Sequence, residues 1–297
     1  MLYYNKLLYY NIFMINRIQT YILVLFFALV ALVSSANAEV KVVTSIKPIH
    51  SLVSYIMDGV GKPDVIVDGY NSPHNFSLKP SHAKMLENAD LVIWVGENLE
   101  TFLEKPLNTI AKKAKNIEIM DLKGIKKLEF REKNIFEEHD EHGHDEHKEH
   151  DEHKEKDSHE GHAHGEHDPH VWLDPINAKL IIKEITKQLV QLDAKNSSAY
   201  KSNSKKALAE MDNLIQTIQK DLNKDLRFVV FHDAYQYFEN RFGIQVLGSL
   251  TVNTDVMPGA EQLSEIREVI EHEKVNCLFS EPQFNPAIIK SIAKDTN

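Results

Sequence analysis

Cysteine is nearly absent from this sequence: Cys277 stands alone among 297 residues. A lone thiol forms no disulfide framework within the chain, so it is either buried and inert or paired with something the chain does not supply. Basic runs are also missing. Lys and Arg total 34 against 44 Asp and Glu, a formal net charge of -10, and no positive patch is left to attract nucleic acid. Long hydrophobic runs are scarce. The most apolar stretch, YILVLFFALVALV at 21–33, is thirteen residues long, too short to span a bilayer. No HExxH occurs either, which removes a familiar mark of zinc hydrolases.

The short apolar run has the dimensions of a signal-peptide core. Arg17 supplies a positive flank and Ala36-Asn37-Ala38 an A-x-A cleavage site. Met14 is an alternative start, because 14–38 alone makes a complete leader. Residues 1–38 are therefore read as a signal peptide, with a membrane anchor as the alternative. No cysteine near the cleavage site offers a lipid attachment point. The rest, 39–297, is expected to be exported and has room for one large domain or two medium ones.

Short apolar runs alternate with helical patterns. Strands are expected at 40–46, 64–67, 91–95 and 117–120, with helices at 48–57, 81–88 and 99–115. Runs such as LVIWVG are apolar on both faces, as buried parallel strands are. Strand-helix-strand order then implies right-handed crossovers and an α/β sheet. Two helical stripes follow, Ile182/Ile185/Leu189/Leu192 and Leu208/Met211/Ile215/Ile218/Leu222. Strands resume at 228–231, 245–247 and 276–279, with helices at 260–272 and 286–294. The chain stops at SIAKDTN, where a parallel repeat would return with another strand, so the second sheet is expected to be incomplete.

Between the two halves lies EEHDEHGHDEHKEHDEHKEKDSHEGHAHGEHDPH, at 137–170, with eleven of the sixteen histidines. Within it 137–168 carries fourteen acids and three lysines, which is nearly the whole net charge. HDEHKE occurs twice in tandem, and almost nothing apolar is available to bury. The segment reads as a disordered insertion. His139, His142, His144, His147, His150, His153, His159, His162, His164 and His167 are candidate auxiliary zinc ligands, and pairs at i, i+3 can share an ion.

Three other histidines stand at strand ends or turns, where α/β folds present ligands. They are His74 in NSPHNFSLKPS, His170 in DPHVWLDP and His232 in VVFHDAY. Three neutral imidazoles suit zinc, with water or a carboxylate as a possible fourth ligand. Ligands in flexible sequence lose chain entropy on binding, so a preorganised three-His cleft should outcompete the loop. Other residues read as structural. His50 is near the first helix and more a structural than a cleft residue. His82 is expected on a helix surface and His272 in solvent. Trp94 is a core residue; Trp172 can wall the site. Asp233 and Glu281 are candidate carboxylates orienting imidazoles.

The three motifs in this order, together with CLFSEPQFNPAII, resemble the ZnuA-type cluster A-I solute-binding proteins, the metal-binding subunits of zinc ABC importers. The similarity runs from about Val40 to the last residue. It implies two α/β lobes, each a parallel sheet with flanking helices, joined by a long rigid linking helix. The corresponding boundaries are a first lobe at 39–175, a helical connector at 176–224 and a second lobe at 225–297. It assigns Zn²⁺ ligands to His74, His170 and His232, and favours zinc over manganese because manganese and iron relatives place a carboxylate where His232 sits. Several relatives have an Asp near the C-terminus at or beside the metal. This chain ends before that motif, which leaves the fourth ligand open. The implied function is periplasmic capture of Zn²⁺ and delivery to a membrane permease, by a monomer performing no chemistry. The alternatives are an exported zinc hydrolase and a zinc buffer acting through the His-rich loop.

Overall fold

A computed structural model of the chain describes residues 39–131, 135, 167–251 and 258–295. The expected leader and all the loop histidines but His167 lie outside these residues. Among the described residues no helix is long and apolar enough to cross a membrane.

Two parallel sheets flanked by helices make an α/β architecture. In the first, β1 (Val42–Ile46), β2 (Asp64–Val67), β3 (Leu91–Trp94) and β4 (Lys115–Glu118) run in the order β2-β1-β3-β4. β1 and β3 are buried along their whole length, which is why their sequences are apolar on both faces. α1 (Lys47–Ile56), α2 (Pro80–Glu87) and α3 (Thr101–Thr109) are the crossovers. α1 carries Pro48 in its first turn, where a missing N–H is tolerated, and buries Ile49, Val53 and Ile56 on one face.

The second sheet holds β5 (Phe228–His232), β6 (Val246–Thr251) and β7 (Cys277–Phe279) in the order β6-β5-β7. α6 (Gln236–Phe242), α7 (Ala260–His272) and α8 (Ala287–Asp295) accompany it. Its core is built from Val229, Phe231, Leu247, Leu250, Ile266, Ile270, Ile289 and Ile292.

Between the sheets in sequence lie α4 (Pro175–Leu192) and α5 (Ser197–Asp221). α4 buries Ile181, Ile182, Ile185 and Leu189 in the core of the first sheet. α5 adds Tyr200 and Ala207 to that core, and the Tyr200 hydroxyl donates to Asp193 at 2.8 Å. Beyond Met211 its apolar residues Ile215 and Ile218 are only partly covered. Residues 126–131 contact α6, through Tyr237, Gln236 and Glu239 among others. Ile135 makes an antiparallel bridge to Gly248 of β6, and Glu129 makes one to His167.

Three local differences from expectation have tertiary causes. α3 ends at Thr109 instead of continuing to Lys115, because Lys115–Glu118 pair with Leu91–Trp94 as strand β4; the KKAK run favours helix only locally. β6 extends through Gly248, Ser249 and Thr251, which pair with β5 despite weak strand propensity. α6 was not expected. Its stop signal, Gly243 at φ 66, is the left-handed cap at which helices commonly end.

Candidate metal centre

His232 is the last residue of β5, the central strand of its sheet, and is 5% exposed. The end of this strand is held by pairing with Thr251 of β6. His74 sits in a turn of the loop that follows β2, where its backbone N–H donates to Ser72 Oγ at 3.3 Å. His170 precedes the tight turn Val171–Leu173 and the N-cap of α4, Asp174. The site thus collects residues at the carboxyl ends of strands and at a helix entrance, the places where parallel sheets leave a crevice.

The three imidazoles converge. One ligand nitrogen from each of His74, His170 and His232 lies within 4.8 Å of the others. Ring centroids are 5.6 Å apart for His74 and His170 and 4.9 Å for each of the other two pairs. They line a cavity of about 350 Å³ that Trp172, Tyr235 and Glu281 also border. Trp172 packs edge-on against His170, with centroids 5.3 Å apart.

Asp168 orients His170. Its Oδ1 accepts the His170 backbone N–H at 2.9 Å and faces ring Nδ1 at 2.6 Å. With Nδ1–H donating to the carboxylate, Nε2 keeps the lone pair for the cavity. The backbone of Asp168 is itself fixed, donating to the Leu128 carbonyl at 2.8 Å and accepting from the Tyr237 hydroxyl at 2.7 Å. Sequence reasoning counted Asp168 only among the loop acids. Its position two residues before His170 was the available signal.

Burial pushes the His232 imidazole well below its ordinary pKa, and the neighbouring His170 and His74 push it the same way. A neutral ring is the form that binds a metal. Chemically, three neutral nitrogens in a protected cavity can take a divalent cation that tolerates low coordination number, zinc foremost.

The other candidates fall outside this cluster. His50 faces the Pro63 carbonyl at 3.1 Å and does not border the cavity. His82 is buried, not on a surface: its Nδ1 accepts the Lys79 backbone N–H at 3.1 Å, capping α2. A helix-start position reads as exposed from sequence because nothing local reveals the reciprocal cap and the Phe76 ring packed against it at 5.4 Å. His272 is exposed, beside Glu273. Asp233 accepts from Arg131 at 3.0 Å, and burial pushes its carboxyl up to about 6 against the pull of that guanidinium. Glu281 borders the cavity and accepts from the Tyr235 hydroxyl at 3.2 Å. Trp94 is in the first core. Cys277 is half-buried beside Phe228 and Val230, a free thiol.

Residues 42–297 match the family described as zinc-uptake complex component A, periplasmic. The High-affinity zinc uptake system protein ZnuA of Brucella abortus (strain 2308) is 46% identical over 277 residues, covering 89% of this chain and 83% of the relative. Its namesake in Yersinia pestis is 39% identical over 264 residues, covering 88% and 81%. Among solved structures, a crystal structure of ZnuA superposes with TM-score 0.70 at 23% identity, covering 87% of this chain and 88% of that one; at that identity the likeness speaks for the fold. The family match across 42–297 and the 46% relative carry the assignment: the chain belongs to the ZnuA family of periplasmic zinc-uptake components.

Proposed function

We propose that the protein captures Zn²⁺ in the periplasm, holds it between His74, His170 and His232, and delivers it to the membrane permease of a zinc ABC importer. The observation that carries this is the convergence of three imidazole nitrogens within 4.8 Å, in a cavity bordered by elements of both sheets. Zinc is cargo here, and no reaction is performed on it. Its tetrahedral preference and its affinity for neutral nitrogen fit the donor set. A cargo must also leave. His74 and His170 come from the half that contains the first sheet, and His232 from the second sheet. Relative movement of the two would break the site without unfolding either.

The division of the chain belongs to the same reading: a cleaved leader at 1–38, a first lobe at 39–175, connecting helices at 176–224 and a second lobe at 225–297. The ten loop histidines act as a weaker collector that raises local zinc concentration beside the cleft. The hydrolase alternative is not favoured, since the family that the chain matches is one of zinc-uptake components.

Zinc affinity and stoichiometry, measured by chelator competition at neutral pH, test the proposal. Three proteins are compared: the chain without its leader, a variant lacking 137–166, and His74→Ala/His232→Ala. The deletion variant should retain one tight site and the double substitution should lose it. The reverse pattern would make the His-rich segment the functional site and refute the cleft.

A further inference from the structure

A buried carboxylate oxygen with nothing to bond to stands in the wall of the zinc cavity. Glu281 follows β7 and borders the cavity together with the three histidines. Its Oε1 is engaged, accepting from the Tyr235 hydroxyl at 3.2 Å. Its Oε2 is buried without a hydrogen-bond partner. Lys47, which also borders the cavity, does not neutralise it: its ammonium donates to the Gly69 carbonyl at 2.6 Å and lies 3.8 Å from Asp68. An unpaired buried carboxylate oxygen is costly, so a donor supplied with the ligand would account for its position.

Zinc brings such a donor. Three imidazoles leave one tetrahedral position for a water molecule, whose protons the ion makes strongly hydrogen-bonding. Glu281 borders the cavity without joining the convergent set. Carboxylate ligation requires an oxygen about 2.0–2.2 Å from the ion, packed among the nitrogens, yet among the described residues no carboxylate oxygen belongs to the set within 4.8 Å.

We propose that Glu281 is the positioning residue for the fourth zinc site: Tyr235 holds Oε1, and Oε2 accepts a hydrogen bond from the water on the bound ion. The role rests on the three-histidine reading. It adds a negative charge close to a doubly charged ion whose other ligands are all neutral, which stabilises the loaded state over the empty one. Because Tyr235 and Glu281 follow β5 and β7 of the same sheet, the water-holding pair travels with His232.

The test compares zinc dissociation constants and metal-free melting temperatures of the full chain and four variants: Glu281→Gln, Glu281→Asp, Tyr235→Phe and His232→Ala. Glu281→Gln keeps the shape and removes the charge. It should weaken zinc binding by about tenfold, the scale of outer-shell partners at metal sites, with metal-free melting unchanged or raised. Glu281→Asp should recover part of the affinity, and Tyr235→Phe should lose less than Glu281→Gln. Wild-type affinity in Glu281→Gln overturns the proposal. So does a loss matched by a lower metal-free melting temperature, which marks a structural role. If His232→Ala leaves tight binding intact, the three-histidine reading itself falls. If His232→Ala abolishes binding while Glu281→Gln does not weaken it, only the water-holding role falls.

Discussion

At the scale of single residues, two buried carboxylates do opposite work. Asp168 is stabilised by what it holds: a backbone N–H and an imidazole N–H of His170. Asp168→Asn keeps an acceptor but removes the charge that makes the ring a strong donor to zinc. It should weaken zinc affinity about tenfold, measured by chelator competition, and an unchanged affinity would deny the orienting role. Glu100 is fully buried, and although it accepts the Val95 and Gly96 backbone N–H groups at 3.0 Å each, burial pushes its carboxyl up to about 7. The native state then binds a proton between about 4.5 and 7 that the unfolded chain has released. Stability from this group is fully present below the unfolded value and is lost as pH rises through that window, by about 3 kcal/mol. Glu100→Gln should therefore gain stability relative to the parent at pH 8 and little or nothing at pH 5, read from denaturant midpoints; a pH-independent difference would contradict the assignment. The three site histidines were legible as residues because each sits in a distinctive motif. Asp168 was not, since it ends a run of thirteen other acids in 137–168 and only its place two residues before His170 sets it apart.

At the scale of elements, α4 links the first core to the metal site. Its inner face was readable from the spacing of Ile182, Ile185 and Leu189, which are all buried, whereas Leu192, the last residue of the same stripe and of the helix, is exposed. Its start is held by Asp174, which accepts the Ile176 N–H at 2.8 Å and a two-pronged bond from Arg241 of α6 at 2.8 and 2.6 Å. Asp174→Ala removes a cap and strands the guanidinium, which is partly exposed and so partly rehydrated. The expected loss is about 2–3 kcal/mol in chemical unfolding. The exposed pair Lys179–Asp212 is the control: Asp212→Ala should cost under about 1 kcal/mol. Equal losses would show that the Arg241 pair contributes nothing beyond surface charge. The cap residue and Pro175 were visible in DPHVWLDP, but its guanidinium partner lies 67 positions away, and α6 itself was missed.

At the scale of the whole molecule, the first and second sheets meet at a site that neither completes alone. Anything that binds only the assembled site stabilises the fold by mass action, about 2.7 kcal/mol at a free-ligand concentration one hundred times the dissociation constant. Zinc should therefore raise the melting temperature of the protein, a chelator should reverse the rise, and His232→Ala should not show it. A zinc-induced rise of full size in His232→Ala would place the ion elsewhere. The pattern of apolar runs was enough to determine an α/β chain with parallel strands, because burial on both faces marks β1, β3, β5 and β6, and the three histidine motifs were enough to single out His74, His170 and His232 as candidate donors. Tertiary structure alone decided that those donors share one cavity, that Asp168 aims a ring, that His82 is a buried cap, and that Glu281 faces the cavity with an oxygen unpaired. The cavity and the Glu281 environment join residues far apart in sequence, and even the short-range contacts of Asp168 and His82 take their burial from the packed fold, about which local propensity carries no information.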